Sequence, residues 1–257
     1  MKIAALYDIH GNFPALQAVL EELKEVKPDR IVIGGDFIFG PMPIETLEAL
    51  SKLGDQVVYI RGNGDREIVL VYDGKELPKH LSGAVKEEAE WVAGKLSPEM
   101  RDFLAHLPSQ VEYTIEGLGH ILFCHATPRN DYEIFTPLSP KERIEAMFTN
   151  VTHDWVVCGH THVQFKESVE NISILNAGSV GMPYAEKPGA YWALISCDGY
   201  EFRYTPYDLQ AAALLIESSG NPQASDFIQG NLLSGPKEDE ALEFLEKLAN
   251  ENKMNMN

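Results

Sequence analysis

The sequence predicts an α/β fold in which two mixed β-sheets stack face to face, with helices on their outer surfaces. Three observations predict it. The first sixty residues alternate strand, helix, strand, helix, strand. The second half is rich in short apolar runs, several arranged as hairpins. Asp, His and Asn recur just beyond the ends of strand-like runs throughout the first two-thirds. The early alternation implies a parallel sheet with helices packed on its faces, because each crossover must return across the sheet. The later hairpins supply a second sheet.

Each element has its own signal. Residues 3–7 are apolar and read as a strand. Residues 13–26 read as a helix, with Leu16, Val19, Leu20 and Leu23 on one face and Asn12 as its cap. A strand at 30–33 ends in Gly34-Gly35-Asp36. A helix at 43–53 and a strand at 56–60 follow, and the strand runs into Gly62-Asn63. Residues 77–107 read as polar helices broken at Pro98, with Trp91, Leu96, Phe103 and Leu104 as a buried side. They form either a cap over the site or an ordinary packed pair. Residues 110–115 and 120–124 form a hairpin through Glu116-Gly117-Leu118-Gly119. A helix at 140–148 precedes strands at 155–158, 163–169 and 172–175. A second hairpin, 191–196 with 200–204, turns at Asp198-Gly199. From Asp208 to about residue 250 the chain reads as a helical extension, with Leu242, Leu245 and Leu248 at three-residue intervals. The polar end, 251–257, is expected to fray. No repeat or linker divides the 257 residues, so one domain is expected.

Composition narrows the function. Hydrophobic residues make up 44% and charged residues 23%, as in ordinary globular proteins. The net charge of −18, from 39 acidic and 21 basic side chains, disfavours duplex nucleic acid as a partner. A small anionic substrate would need cations where it docks, and divalent metals would supply them. Cys124, Cys158 and Cys197 show no paired spacing, which suits a reducing compartment. With no leader-like start and no run of membrane-spanning length, the expected location is the cytoplasm, away from the membrane.

Eight ligand-type residues fall in five clusters: Asp8-Ile9-His10, Gly34-Gly35-Asp36, Gly62-Asn63-Gly64-Asp65, Cys124-His125 and Gly159-His160-Thr161-His162. In parallel sheets, sites form beyond the carboxyl ends of the strands, which is where these clusters sit. Asp, His and Asn suit Mn, Fe, Zn, Co or Ni, with Mn or Fe favoured, and not a thiolate-rich structural zinc. Seven donors exceed the needs of one ion. With one bridging carboxylate they fill two sites and leave room for water. Gly34, Gly35, Gly62 and Gly159 let the ligand backbones turn and approach closely.

This ordered set, Asp-x-His, Gly-Gly-Asp, Gly-Asn-x-Asp, His and Gly-His-x-His, resembles the calcineurin-like metallophosphoesterase superfamily over residues 8–162. Asn176-Ala177-Gly178-Ser179-Val180-Gly181 is similar to its small bacterial and archaeal phosphodiesterase branch. The resemblance implies a four-layer α-β-β-α sandwich and two divalent ions. By it, Asp8, His10 and His162 hold the first ion, Asn63, His125 and His160 the second, and Asp36 bridges them. It further implies in-line attack by a metal-bridging hydroxide, with His160 and Asn63 positioning the phosphoryl group. Asp65 orients a ligand or loop.

The chain departs from the family at one position. Many members carry Gly-Asn-His-Asp where this chain has Gly62-Asn63-Gly64-Asp65, and the missing histidine is the one associated with leaving-group protonation. General acid catalysis is worth about 10²–10⁴-fold, most for poor leaving groups. A phosphate leaving group, with its last pKa near about 6, needs little protonation. The expected substrates are therefore small and nucleotide-like: phosphodiesters with good leaving groups, or nucleotide phosphoanhydrides. The rivals are a phosphomonoesterase or phosphoprotein phosphatase, and a non-catalytic binding module on the same fold. Fast turnover of phosphoserine would favour the former, and weak metal retention the latter.

Arg129 is a candidate phosphate clamp, or else a surface partner of Asp131 or Glu133. Arg66 faces the site or caps a following helix. Asn130, Asp131 and Tyr132 share the Arg129 loop and could touch a base or ribose. His80, His106, His120 and His153 lack partner spacing. The acidic carboxyl-terminal helix packs on the body of the protein or on a second subunit, so a homo-oligomer stays open.

Overall fold

The structure is a computed structural model that describes residues 1–78 and 81–255, with side chains to residue 251. The first sheet is built from β1 (Ile3–Leu6), β2 (Arg30–Ile33), β3 (Val57–Tyr59), β9 (Ala190–Ser196) and β10 (Gly199–Thr205), in the order β10-β9-β1-β2-β3. The second contains β4 (Gln110–Ile115), β5 (Gly119–Cys124), β6 (Trp155–Cys158), β7 (Gln164–Val169) and β8 (Ile172–Ala177), in the order β4-β5-β6-β8-β7. Both sheets are mixed. β1, β2 and β3 run parallel, as do β5, β6 and β8, and hairpins supply the antiparallel edges.

Strand alternation explains the layers. In β1 and just beyond it, Ile3, Ala5 and Tyr7 face the second sheet and pack with Ile121, Phe123, Val157 and Leu175. Ala4 and Leu6 point the other way, toward Leu16 and Val19 of α1 (Phe13–Val26) and Leu47 and Leu50 of α2 (Pro43–Ser51). Because side chains alternate with period two, a strand buried on both faces reads as a continuous apolar run. The Tyr7 hydroxyl donates to the Val157 carbonyl at 2.9 Å and ties the two sheets together beneath the site. On the far side, Leu122, Cys124, Val156 and Cys158 pack under α6 (Lys141–Met147) and α9 (Glu238–Asn255). The four-layer α-β-β-α sandwich is thus present. Asn12 caps α1 as expected, its side-chain oxygen accepting from the Ala15 amide at 3.2 Å.

Some helices differ from the expectation. α3 (Asn63–Tyr72) begins at a ligand-type residue, inside a stretch whose two glycines conceal a helix start. The Asp65 carboxylate accepts the Gly62 amide at 3.0 Å and so secures that start. α4 (Gly83–Ala93) and α5 (Pro98–Ala105) bury Ala89, Val92, Ala93 and Leu104 in the outer cluster shared with α1 and α2. In the structure, residues 83–105 therefore belong to the outer helical layer of the first sheet. The carboxyl-terminal segment is broken into α7 (Leu209–Ser218), α8 (Ala224–Phe227), a π-helical turn at Ile228–Leu232, and α9. The breaks coincide with Gly220-Asn221-Pro222 and Gly235-Pro236, which cannot continue a helix. α9 packs on the body through Ala241, Leu242, Leu245 and Ala249, and stays helical to Asn255, further into the polar end than expected.

Candidate metal centre

Five strand ends converge on one point. The loop after β1 brings Asp8 and His10, that after β2 brings Asp36, and β3 leads into Asn63. From the second sheet, β5 delivers His125 and β6 delivers His160 and His162. Ligating atoms of Asp8, His10 and His162 lie within 4.8 Å of one another, as do those of Asp8, Asp36 and His125. His10 Nε2 is 3.1 Å from His162 Nε2, and Asp36 Oδ2 is 3.6 Å from His125 Nε2. Asp8 belongs to both groups, its Oδ1 lying 3.5 Å from His162 Nε2 and 3.9 Å from His125 Nε2.

Backbone conformation sets this convergence. Asp8, His10, Asp36, His160 and His162 all adopt left-handed φ, between 48° and 69°. Non-glycine residues rarely do so, and such strain clusters at sites where geometry is over-determined. The loops hold one another in place. His10 N donates to Asp36 O at 2.9 Å, Gly159 N to His125 O at 2.8 Å, and Gly181 N to Asp8 O at 3.0 Å. Asn176 Nδ2 donates to Gly159 O at 2.7 Å and to Thr161 Oγ1 at 2.9 Å, so the 176–181 stretch braces the two-histidine loop. Asp65 is fully buried. One of its oxygens accepts from the amides of Asp36 (2.8 Å) and Gly62 (3.0 Å), and the other from Phe37 (3.3 Å). Its carboxylate clamps two ligand loops together.

Three imidazoles are oriented identically. Nδ1 of His10, His125 and His162 lies 2.9, 2.8 and 2.9 Å from the carbonyls of Phe39, Gly34 and Met182. A carbonyl partner places the proton on Nδ1 and turns the Nε2 lone pair inward, as metal-ligating histidines require. His162 also stacks against Tyr184, with ring centroids 5.2 Å apart. His160 points Nδ1 at the Asn63 side chain, 3.1 Å away. Its backbone amide donates to Asp8 Oδ2 at 2.8 Å.

The electrostatics suit cations. Burial pushes the Asp36 carboxyl up to about 8, and burial pushes Asp65 up to about 6. Asp8 resists burial and is held below the usual carboxylate range by His162, His125 and His10. Burial, with His162 alongside, takes His10 down to about 3, and burial with His125 alongside does the same to His160. His125 is raised despite burial, by Asp36 and Asp8. Asp8 Oδ1 is buried without a hydrogen-bond donor. The Asn63 carboxamide lies 3.2 Å from His125 Nε2 and 3.1 Å from His160 Nδ1. Lone pairs gathered in this way are satisfied together by metal ions.

Close backbone approach is as necessary as the ligands. A Cβ on Gly62 would lie 2.1 Å from Asp36 Oδ1, and one on Gly159 2.4 Å from Asp8 Oδ2. Gly62→Ala should therefore lower metal retention by about 10–100-fold, the range typical of groups that orient ligands. Metal content after dialysis, beside an unchanged far-UV circular dichroism spectrum, checks this. Wild-type retention would show that Asp36 need not sit where it does.

The remaining candidates divide. Arg66 reaches the cleft beside His125 and forms a two-pronged pair with Asp131, Nε–Oδ2 2.8 Å and Nη2–Oδ1 3.1 Å. Arg129 pairs with Glu133, the surface alternative foreseen for it, and donates to Ala146 O at 2.9 Å. A phosphate would have to displace Glu133 to be clamped by Arg129. Tyr132 is 46% exposed at the cleft mouth. His106, His120 and His153 bond to Asp102, Thr114 and Glu112, and His80 lies outside the described residues. The sequence reading missed Arg61, Glu67 and Tyr184. Arg61 looks like an ordinary strand end, and neither Glu67 nor Tyr184 sits in a motif.

An α-β-β-α sandwich with nitrogen and oxygen donors gathered at the carboxyl ends of its parallel strands has the architecture of a metallophosphoesterase. The chain belongs to the calcineurin-like phosphoesterase superfamily, whose domain matches residues 1–199. Members of that family are hydrolases that use divalent metals. The chain is 30% identical to an uncharacterised protein of Methanocaldococcus jannaschii over 69% of each chain. It is 28% identical to the phosphodiesterase YfcE of Escherichia coli K12 over 76% of this chain and 87% of that one. The crystal structure of a hypothetical protein from Pyrococcus horikoshii OT3 superposes with a TM-score of 0.77 at 27% identity, covering 92% of this chain and 99% of that one.

Proposed function

We propose that the protein is a dinuclear metal-dependent phosphoesterase that cleaves phosphodiester or nucleotide phosphoanhydride bonds in small substrates. The observation that carries this reading is the convergence of seven donors, Asp8, His10, Asp36, Asn63, His125, His160 and His162, from five strand ends. On this reading Asp8, His10 and His162 hold one ion, Asn63, His125 and His160 the other, and Asp36 lies between. Two divalent ions there, Mn or Fe before Zn, Co or Ni, would neutralise the phosphoryl oxygens and lower the pKa of an attacking water.

The chain's own residues do the rest. The Nδ1 protons of His10, His125 and His162 stay on backbone carbonyls, so these rings offer lone pairs and donate no proton to the substrate. On this reading His160 and Asn63 line the phosphoryl position, and Asp65 keeps the Asn63 and Asp36 loops in register from behind. At the family's histidine position, Gly64 offers an amide already engaged by Asp36 Oδ1 at 2.7 Å. A Cβ there would sit 3.1 Å from that oxygen and 3.1 Å from the Phe39 Cβ, so a larger side chain would press on Asp36. The leaving oxygen therefore departs without a proton from residue 64, which favours acidic leaving groups.

The test is phosphorus NMR of products from the Mn²⁺-loaded protein, given a dinucleoside polyphosphate, a cyclic nucleotide, an aryl phosphodiester and a phosphoserine peptide in parallel. Turnover of the first three, with the peptide slower by about 10²–10⁴-fold, is expected. Peptide cleavage at a comparable rate would instead make the protein a monoesterase. The reading treats the chain as one unit working in the cytoplasm. Three free cysteines agree with that, and among the described residues no helix is long and apolar enough to cross a membrane.

A further inference from the structure

Beside His125 the centre opens into a cleft of 330 Å³, lined by Arg61, Arg66, Arg129, Asn130 and Tyr132. Three arginines around one cleft are conspicuous in a chain of net charge −18. Two of them are engaged: Arg66 by Asp131 and Arg129 by Glu133. Arg61 is different. Its backbone amide is fixed on the Pro108 carbonyl at 2.9 Å, just past the end of β3. Its Nε is buried with no hydrogen-bond partner, and among the described residues its side chain makes no ion pair. Arg61 is half-buried, and a buried Nε–H without an acceptor is unfavourable unless a ligand supplies one. The planar fork of arginine matches phosphate oxygens in a two-pronged contact.

We propose that Arg61 forms an anion subsite for a second phosphate, one beyond the group being cleaved, so that the substrate class is nucleoside polyphosphates rather than simple phosphodiesters. The inference rests on the phosphoesterase reading and narrows it. Asp131 holds Arg66 flat along the same wall, where it adds positive field without needing to let go of its partner. Tyr132, exposed at the mouth, offers a face on which the base can stack. Cleavage is ordinary hydrolysis: the water oxygen bonds to the attacked phosphorus and its proton passes to solvent, while the P–O bond to the second phosphate breaks with its electron pair on the leaving oxygen, and that phosphate departs as an anion facing Arg61.

Two measurements test this. The first is calorimetric titration of ADP into EDTA-treated protein, which probes the subsite without the metal centre. Wild type should bind, Arg61→Ala should bind at least ten-fold more weakly, and Arg61→Lys should fall between. The second is the ratio of kcat/KM for diadenosine tetraphosphate to that for bis(p-nitrophenyl) phosphate, which should drop at least ten-fold in Arg61→Ala. Equal loss on both substrates would make Arg61 a support of the centre and overturn the proposal. ADP binding indifferent to Arg61 would overturn it as well. If neither substrate is hydrolysed by wild type, the phosphoesterase reading fails, while ADP binding lost in Arg61→Ala would still uphold the subsite.

Discussion

Asp36→Ala should abolish hydrolysis and leave the fold standing. Asp36 lies 3.6 Å from His125 Nε2 and 4.0 Å from His10 Nε2, within reach of one histidine from each proposed ion. On the proposed assignment Asp36 is the shared ligand, so its removal would weaken both ions together. Metal catalysis is worth several kcal/mol of transition-state stabilisation, and each factor of ten in rate is about 1.4 kcal/mol, so a loss of at least about 10³-fold follows. Stability should hardly suffer. Burial disfavours the Asp36 carboxylate, as its raised pKa shows, and its chief bond is to one amide, Gly64 N. Asp36→Asn keeps the shape and that bond without the charge, and should lose both metal and activity. Bound metal, kcat and thermal midpoint measured on both variants check the argument. Turnover within ten-fold of wild type from a metal-depleted Asp36→Ala protein would remove the metal centre from the mechanism.

Metal should stabilise the protein increasingly as pH rises from about 6.5 to 8. Burial puts Asp36 up to about 8 and Glu67 up to about 7, both far above unfolded carboxyls near about 4. A group whose folded pKa is raised stabilises fully below its unfolded value and loses that stability as pH climbs through its folded value. His125, also raised, adds in the same direction. His10 and His160, lowered to about 3, act oppositely, but only between there and their unfolded value near about 6.5. Above that pH the carboxyls dominate, and the metal-free protein weakens. Cations bind the ionised form, so the metal-bound protein should not weaken in step. Ligand at about a thousand times its Kd adds about 4 kcal/mol, or about 8–16 °C in midpoint for a chain of this size. Calorimetric scans in EDTA and in Mn²⁺ at pH 6.5 and 8 read the gap directly. A gap that stays constant or shrinks would mean these carboxyls do not face the ions.

The fold was legible because its strands are buried on both faces and end in residues no core tolerates. Gly34-Gly35-Asp36 and Gly159-His160 mark strand ends as clearly as apolar runs mark strands. α3 was hidden because Gly62 and Gly64 look like a turn, and its start depends on Asp65 reaching back to an amide. The two-way reading of Arg129 could not be decided from sequence. Glu133 lies one helical turn's spacing away, but the loop that joins them is irregular. The contact of Arg143 with Glu246 spans more than a hundred positions and leaves no local trace. Arg61 went unnoticed for a related reason. What distinguishes it is a missing partner, and a missing partner becomes visible only in three dimensions.

The donors do not all hang from one sheet. Asp8, His10, Asp36 and Asn63 extend from the first sheet, and His125, His160 and His162 from the second. An ion held there bolts the two leaves of the sandwich together at their shared rim, opposite ends of a chain segment some 150 residues long. A centre drawn from both leaves needs both complete and aligned, so on the proposed assignment metal uptake would come late in folding and metal release would be an early sign of the leaves parting. A probe that watches the ion would therefore report the alignment of the whole sandwich, including packing faults far from any ligand.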